Sequence, residues 1–113
     1  MNGLGLISTQ NTSKPATILV YNTIQMDIAT HTVWLHNQPV HLSPTQCNLL
    51  LLLLTHQGRT FTRSELLAQV WGIDIPLHTR TVDVHIGFLR RKLGLEKDIV
   101  TVPHTGYRLN YLL

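Results

Sequence analysis

Only 13% of this 113-residue chain is charged, about half the usual quarter, with six acids set against nine lysines and arginines. The formal charge of +3 therefore rests on few groups, and its general attraction to a polyanion is modest. A single cysteine, Cys47, excludes an internal disulfide and fits a reducing, cytoplasmic compartment. Placed just ahead of a leucine run, it reads as a buried, inert thiol. Long apolar segments are missing: the run Leu49 to Leu54 is six residues against the roughly twenty that cross a bilayer. The opening M-N-G-L-G-L-I-S has neither a basic region nor a long apolar segment, so it is not a signal peptide. No Ser/His/Asp grouping, glycine-rich phosphate loop or carboxylate pair can be assembled, so an enzyme acting on a small-molecule substrate is rejected and no cofactor is expected. The seven histidines include His31, His36 and His41 on neighbouring predicted strands. They lack a helical HxxxH pair, a cysteine partner and an acid cluster, and a metal site is not expected.

What is present suffices for one small core, with 43% hydrophobic residues. Residues 1–16, rich in Asn, Ser, Thr and Gly, read as a flexible lead or linker, and residues 17–113 as a single domain. Short β-like runs follow at Thr17 to Tyr21, Ile24 to Ile28, Thr32 to His36 and Val40 to Leu42. Asn22-Thr23, Ala29 to His31 and Asn37 to Pro39 separate them, which predicts a four-stranded antiparallel meander. Ser43 with Pro44 and Gln46 is a capping-box arrangement opening a helix to about Gln57, ended by Gly58. Leu51 on that helix has two readings, a self-association surface or packing on the sheet. Thr62 with Glu65 opens a shorter helix through Trp71, ended by Gly72.

The most informative stretch is Thr79 to Gly94. Val82, Ile86, Leu89 and Leu93 fall on one helical stripe that faces a core, which puts Arg80, Val84, Gly87, Phe88 and Arg91 on the other side. The last turn carries Arg90, Arg91 and Lys92 before Gly94, a terminus suited to a left-handed cap. Five of the nine cations lie between Arg80 and Lys97, where a polyanion could be held. Alone, this is equally a core helix with a solvated basic end. The sequence then gives I-V-T-V (Ile99 to Val102), P-H-T-G (Pro103 to Gly106) and Y-R-L-N-Y-L-L (Tyr107 to Leu113). That pattern predicts a hairpin with a four-residue loop.

Helix then hairpin is the order of a winged helix. The motifs R-T-V-D-V-H-I, L-R-R-K-L-G, I-V-T-V and T-G-Y-R-L, with L-S-P-T-Q, R-S-E-L-L and V-W-G upstream, resemble the DNA-binding effector domain of OmpR/PhoB-type response regulators over roughly residues 17–113. The T-V-P before the wing turn also resembles the ToxR/CadC branch, where such a domain is tethered to a membrane. The resemblance implies an α+β fold: an amino-terminal four-stranded antiparallel sheet, three helices and a carboxy-terminal β-hairpin wing. It implies a bacterial two-component transcription regulator that binds double-stranded DNA, with the long helix in the major groove and the hairpin at the minor groove. A contact with RNA polymerase through the Ile73 to His78 loop and a homodimer on DNA belong to the same expectation.

On that reading Val84, Phe88 and Arg91 approach bases. Arg80, Thr81, His85, Gly87, Arg90, Lys92 and the wing residues Thr105 and Arg108 lie nearer phosphates or their supports. The chain departs from the pattern of the family it resembles at Gly87, Phe88 and Pro103, where members often carry arginine. Arginine can take guanine bidentately, whereas phenylalanine offers only apolar contact. The alternative reading is therefore a degenerate winged helix, with Val84 and Phe88 forming an apolar patch for another protein. Trp71 and Leu89 are expected to be largely buried.

Overall fold

Two-residue periodicity in the first third of the chain produces a meander in the computed structural model, which describes residues 17–73 and 80–112. The strands β1 (Ile18–Tyr21), β2 (Ile24–Asp27), β3 (Thr32–Leu35) and β4 (Gln38–Val40) pair antiparallel in sequence order. Ile24 and Met26 are buried while Gln25 and Asp27 are half-buried, so the β2 alternation sets which face meets the core. Asn22 (φ 55°) turns β1 into β2, and His36 (φ 50°) with Asn37 (φ 64°) turns β3 into β4. The last turn is tighter than expected. Pro39 was assigned to it from sequence but lies in β4 opposite Trp34, an edge position where its missing N–H is tolerated, so the strand is Gln38–Val40 and not Val40 to Leu42.

Both capping boxes form. Ser43 and Gln46 exchange side-chain and backbone bonds of 2.9 and 3.2 Å at the start of α1 (Pro44–Thr55). Thr62 and Glu65 do the same at 2.8 and 3.0 Å at the start of α2 (Arg63–Leu66), which continues as a π-helical turn, Leu67–Trp71. Helix α1 stops two residues short of the expected Gln57. The Thr55 hydroxyl donates to Leu51 O (2.8 Å) and the His56 Nδ1 to Leu52 O (3.0 Å), satisfying terminal carbonyls there. Leu49, Leu50 and Leu53 are fully buried, and Cys47 is buried with its thiol pushed above the usual range by that burial. Leu51 is half-buried and packs against the core, lining a shallow groove with Ile28, Leu52 and Val70.

The segment between α1 and α2 hides a strand. Thr60–Thr62 (β5) joins the hairpin strands β6 (Ile99–Val102) and β7 (Gly106–Leu109) in a second sheet of order β5-β7-β6. Gly106 allows it: a Cβ there would lie 1.9 Å from Phe61 O, so only glycine lets β5 close on β7. The connection between β6 and β7 is Pro103 to Thr105, three residues rather than four, because Gly106 already pairs with Val102. Pro103 presets the turn, His104 takes φ 59°, and the Thr105 amide closes it on Val102 O at 3.0 Å. Tyr21 links the two sheets. Its hydroxyl donates to Asn110 O at 2.9 Å and lies 3.4 Å from the Asp98 carboxylate. Burial, then the Asp98 charge, push its pKa up to about 12.

Helix α3 (Thr81–Leu93) lies across this core with Val82, Ile86, Leu89 and Leu93 buried, the stripe read from spacing. Gly94 (φ 66°) ends it, and the Leu95 amide returns to Arg90 O at 2.9 Å. Sheet, helices and hairpin make a winged helix-turn-helix. Residues 1–16, expected as a lead, and most of the Ile73 to His78 loop lie outside the described residues. Leu89 is fully buried and Leu89→Ala is expected to cost about 2 to 5 kcal/mol in urea denaturation. A cost below about 1 kcal/mol would show that the stripe does not anchor the domain.

Candidate nucleic-acid interface

A helix with one buried stripe must present its remaining surface elsewhere, and on α3 that surface is basic and apolar. Val84 is 60% exposed; Arg80, Arg91 and Lys92 are exposed, and Thr81, His85, Gly87 and Phe88 are half-buried. Arg80 stands at the N-cap without a side-chain cap, and Asp83 in the first turn supplies the negative charge that a helix N-terminus favours.

Asp83 is also where three elements meet. Its Oδ1 accepts a short bond from the Tyr107 hydroxyl on β7 and one of 2.8 Å from Arg63 Nε on α2. The Arg63 guanidinium lies 5.1 Å above the Tyr107 ring. Burial alone would raise the Asp83 pKa, but the bonds from Tyr107 and Arg63 and the charges of Arg63 and Arg80 outweigh it, so the carboxyl sits below its ordinary value. Tyr107 is raised, first by burial and then by its bond to Asp83. The sole acid on α3 is thereby neutralised from within the fold.

The expected contact residues divide into those that face outward and those that serve as struts. Arg90, expected near phosphates, turns instead to β6. Its Nε (3.1 Å) and Nη2 (2.6 Å) bond Ile99 O, Nη2 also reaches Thr101 Oγ1 (2.9 Å), and the group lies 5.4 Å over the Tyr107 ring. Three of its five donors bind β6 within the fold. The His85 Nδ1 donates to Thr81 O at 2.9 Å, and its ring meets Trp71 edge-on at 5.1 Å. Trp71, expected to be largely buried, is half-buried because its ring covers His85 at the surface of α3. Phe88 is half-buried against the core, with Lys92 Nζ 6.0 Å over its ring, so less of it is available to a base than the wheel implied.

On the wing, Thr105 is exposed at the tip with its hydroxyl 3.3 Å from Pro103 O, next to exposed Pro103 and His104. Arg108 alternates with Tyr107 along β7 and so lies on the sheet face away from α3, with its Nε 3.4 Å from Asn110 Oδ1. The structure therefore groups Arg80, Val84, Gly87, Phe88, Arg91 and Lys92 on one helix face. Thr105 stands separately at the hairpin tip and Arg108 outside the set. Reading the sequence missed Asp83, Arg63 and Tyr107, which orient the helix; acid in the first turn was the one local signal. It also missed His104, whose place after Pro103 marked a turn residue.

The sequence matches a family described as "Transcriptional regulatory protein, C terminal" over residues 37–109. It is 44% identical over 87 residues to the phosphate regulon transcriptional regulatory protein PhoB of Pseudomonas aeruginosa, covering 75% of this chain and 38% of that protein. This chain thus spans about two fifths of the length of the curated relatives it matches. Its structure is similar to the Klebsiella pneumoniae RstA DNA-binding domain in complex with the RstA box. The TM-score is 0.73 at 31% identity, over 82% of this chain and 96% of that one. It is also similar to the DNA-binding domain of CpxR from E. coli, with a TM-score of 0.76 at 27% identity, over 85% and 98% of the two chains.

Because Asp83 has a depressed folded-state pKa, the stability it contributes is fully present above its unfolded value near 3.8 and is lost as pH falls through the folded value. Asp83→Asn should lower the urea midpoint at neutral pH. The gap from the parent should narrow as pH falls below the unfolded value and through the lower folded one, where the parent carboxyl is protonated. A gap constant across pH would mean that the charge on Asp83 does not hold the hub.

Proposed function

This chain belongs to the OmpR/PhoB-type family of transcriptional regulatory C-terminal domains, and from that membership we propose that it binds double-stranded DNA sequence-specifically as the output domain of a two-component transcription regulator. Helix α3 enters the major groove and the β6–β7 hairpin lies at the adjacent minor groove. The observation that carries this is the outer face of α3: Arg80, Val84, Arg91 and Lys92 are exposed on a helix whose own acid is tied to Arg63 and Tyr107. Phosphate contacts supply register and affinity, and groups that reach base edges supply specificity. The protein-contact alternative has less support, since Phe88 is half-buried and Val84 is left as the exposed large apolar side chain among the described residues of α3.

Two copies act together in this proposal. Arg63 is paired with Asp83, Arg59 with Glu65 at 3.1 Å, and Arg90 with β6, so few cations remain for phosphates. With about three to five phosphate contacts per domain, one copy holds DNA poorly. A second copy on a half-site one helical turn away makes the next contact effectively intramolecular. A contact with RNA polymerase through the Ile73 to His78 loop is the remaining part of the proposal, and it rests on the family resemblance alone.

Binding of this chain to duplexes with one and two selected half-sites across a salt series tests the reading. The expected result is weak one-site binding with a log–log slope of about 3 to 5, and much tighter two-site binding. Tight one-site binding with a steep slope would remove the need for pairing, and failure to bind any selected duplex would favour the protein-contact alternative.

A further inference from the structure

Glycine in the middle of a helix lowers its stability, and Gly87 is not excused by its backbone, which is absent from the positive-φ glycines. Nor does the core need the space. A Cβ built on Gly87 would meet, beyond its own helix backbone, one atom within 4 Å: the Arg91 Nη1, at 3.2 Å. What the missing side chain makes room for is the guanidinium of the residue one turn ahead.

We infer that Gly87 is a positioning residue: it opens a notch on the outer face of α3 into which the Arg91 guanidinium folds, so that Arg91 and Val84 read neighbouring base pairs. The inference rests on the DNA-binding reading above and concerns how that face reads sequence. Side chains on a helix lean toward its N-terminus, which carries Arg91 back over the preceding turn. Val84 and Arg91 are about 10.5 Å apart along the axis, some three base-pair steps, whereas Val84 and the level of Gly87 are about 4.5 Å apart, close to one step of 3.4 Å. With α3 lying along the groove, the folded-back guanidinium stands beside Val84. Arginine offers two parallel donors to guanine O6 and N7, and valine offers apolar contact to a thymine methyl. The recognised element is a G·C pair next to a T·A pair. Phe88, the neighbour nearest on the helical wheel, is turned partly into the core. One arginine, placed by a glycine, thus takes the guanine-reading role.

The test uses the whole chain in four forms: parent, Gly87→Ala, Arg91→Ala and the double variant. Duplexes are selected from a randomised library with the parent, and affinity is then measured on selected and random duplexes at one salt concentration. An alanine Cβ needs only that the flexible end of Arg91 move, so Gly87→Ala should fold, with a melting temperature at or above the parent's. It should lower the ratio of selected to random affinity by about tenfold, with the loss confined to one G·C position. Random-duplex affinity should stay within about twofold, because no charge is removed. In the Arg91→Ala background the same substitution should have no effect on the ratio, which a purely structural role for Gly87 would not produce. Equal losses on selected and random duplexes, or the same loss with Arg91 absent, would overturn the inference. So would an unchanged ratio in Gly87→Ala while the parent reads sequence, and this outcome leaves the DNA-binding reading intact. If the parent selects no duplex at all, both fall together.

Discussion

The Asp83 carboxylate, held between Tyr107 and Arg63, decides what α3 can present to a partner. It ties the first turn of α3 to β7 and to α2 in one contact, while Arg90 ties the last turn to β6 through Ile99 O and Thr101. Ties at both ends restrain the helix against rocking relative to the hairpin, which favours one spacing for the two surfaces that would meet adjacent grooves. Such preorganisation favours affinity because less ordering remains for the moment of binding. The hub does not supply most of the stability. The Arg63 and Asp83 side chains are 38% and 29% exposed, and solvent screens their attraction. Burying Val82, Ile86, Leu89 and Leu93 is worth about 1.5 to 3 kcal/mol for each side chain. Apolar burial holds the helix down; the hub sets its rotation and pitch.

That division explains which parts were legible in the sequence. The buried stripe of α3, both capping boxes and the alternation in β2 are local patterns, and each is found where spacing put it. Strand β5 is three residues long and exists through pairing with β7, more than forty positions later, so no local period could announce it. The Asp83 to Tyr107 bond spans 24 positions, again beyond the reach of a local period. Arg90 shows the limit of a helical wheel: its place on the helix points to phosphates, and only the position of β6 reveals which carbonyl it caps. The wing turn was overcounted by one residue because Gly106, read as a loop glycine, is a strand residue required by the Phe61 carbonyl. Trp71 is expected to be largely buried but is half-buried, packing against the core and meeting the His85 ring edge-on at 5.1 Å.

Charge use follows from the same contacts. A chain with nine lysines and arginines has few to begin with. Arg59, Arg63 and Arg90 are engaged within the fold, and Arg108 faces away from α3. Each phosphate contact contributes affinity without regard to sequence, so a domain that engages many phosphates also binds random DNA strongly. Removing cations from that task weakens specific and non-specific complexes by about the same factor. The ratio between the two therefore depends chiefly on the groups that reach base edges, which the proposal assigns to Val84 and Arg91. In the proposed reading, discrimination comes from the α3 face and occupancy from pairing, where two weak contacts held one helical turn apart act as a single strong one.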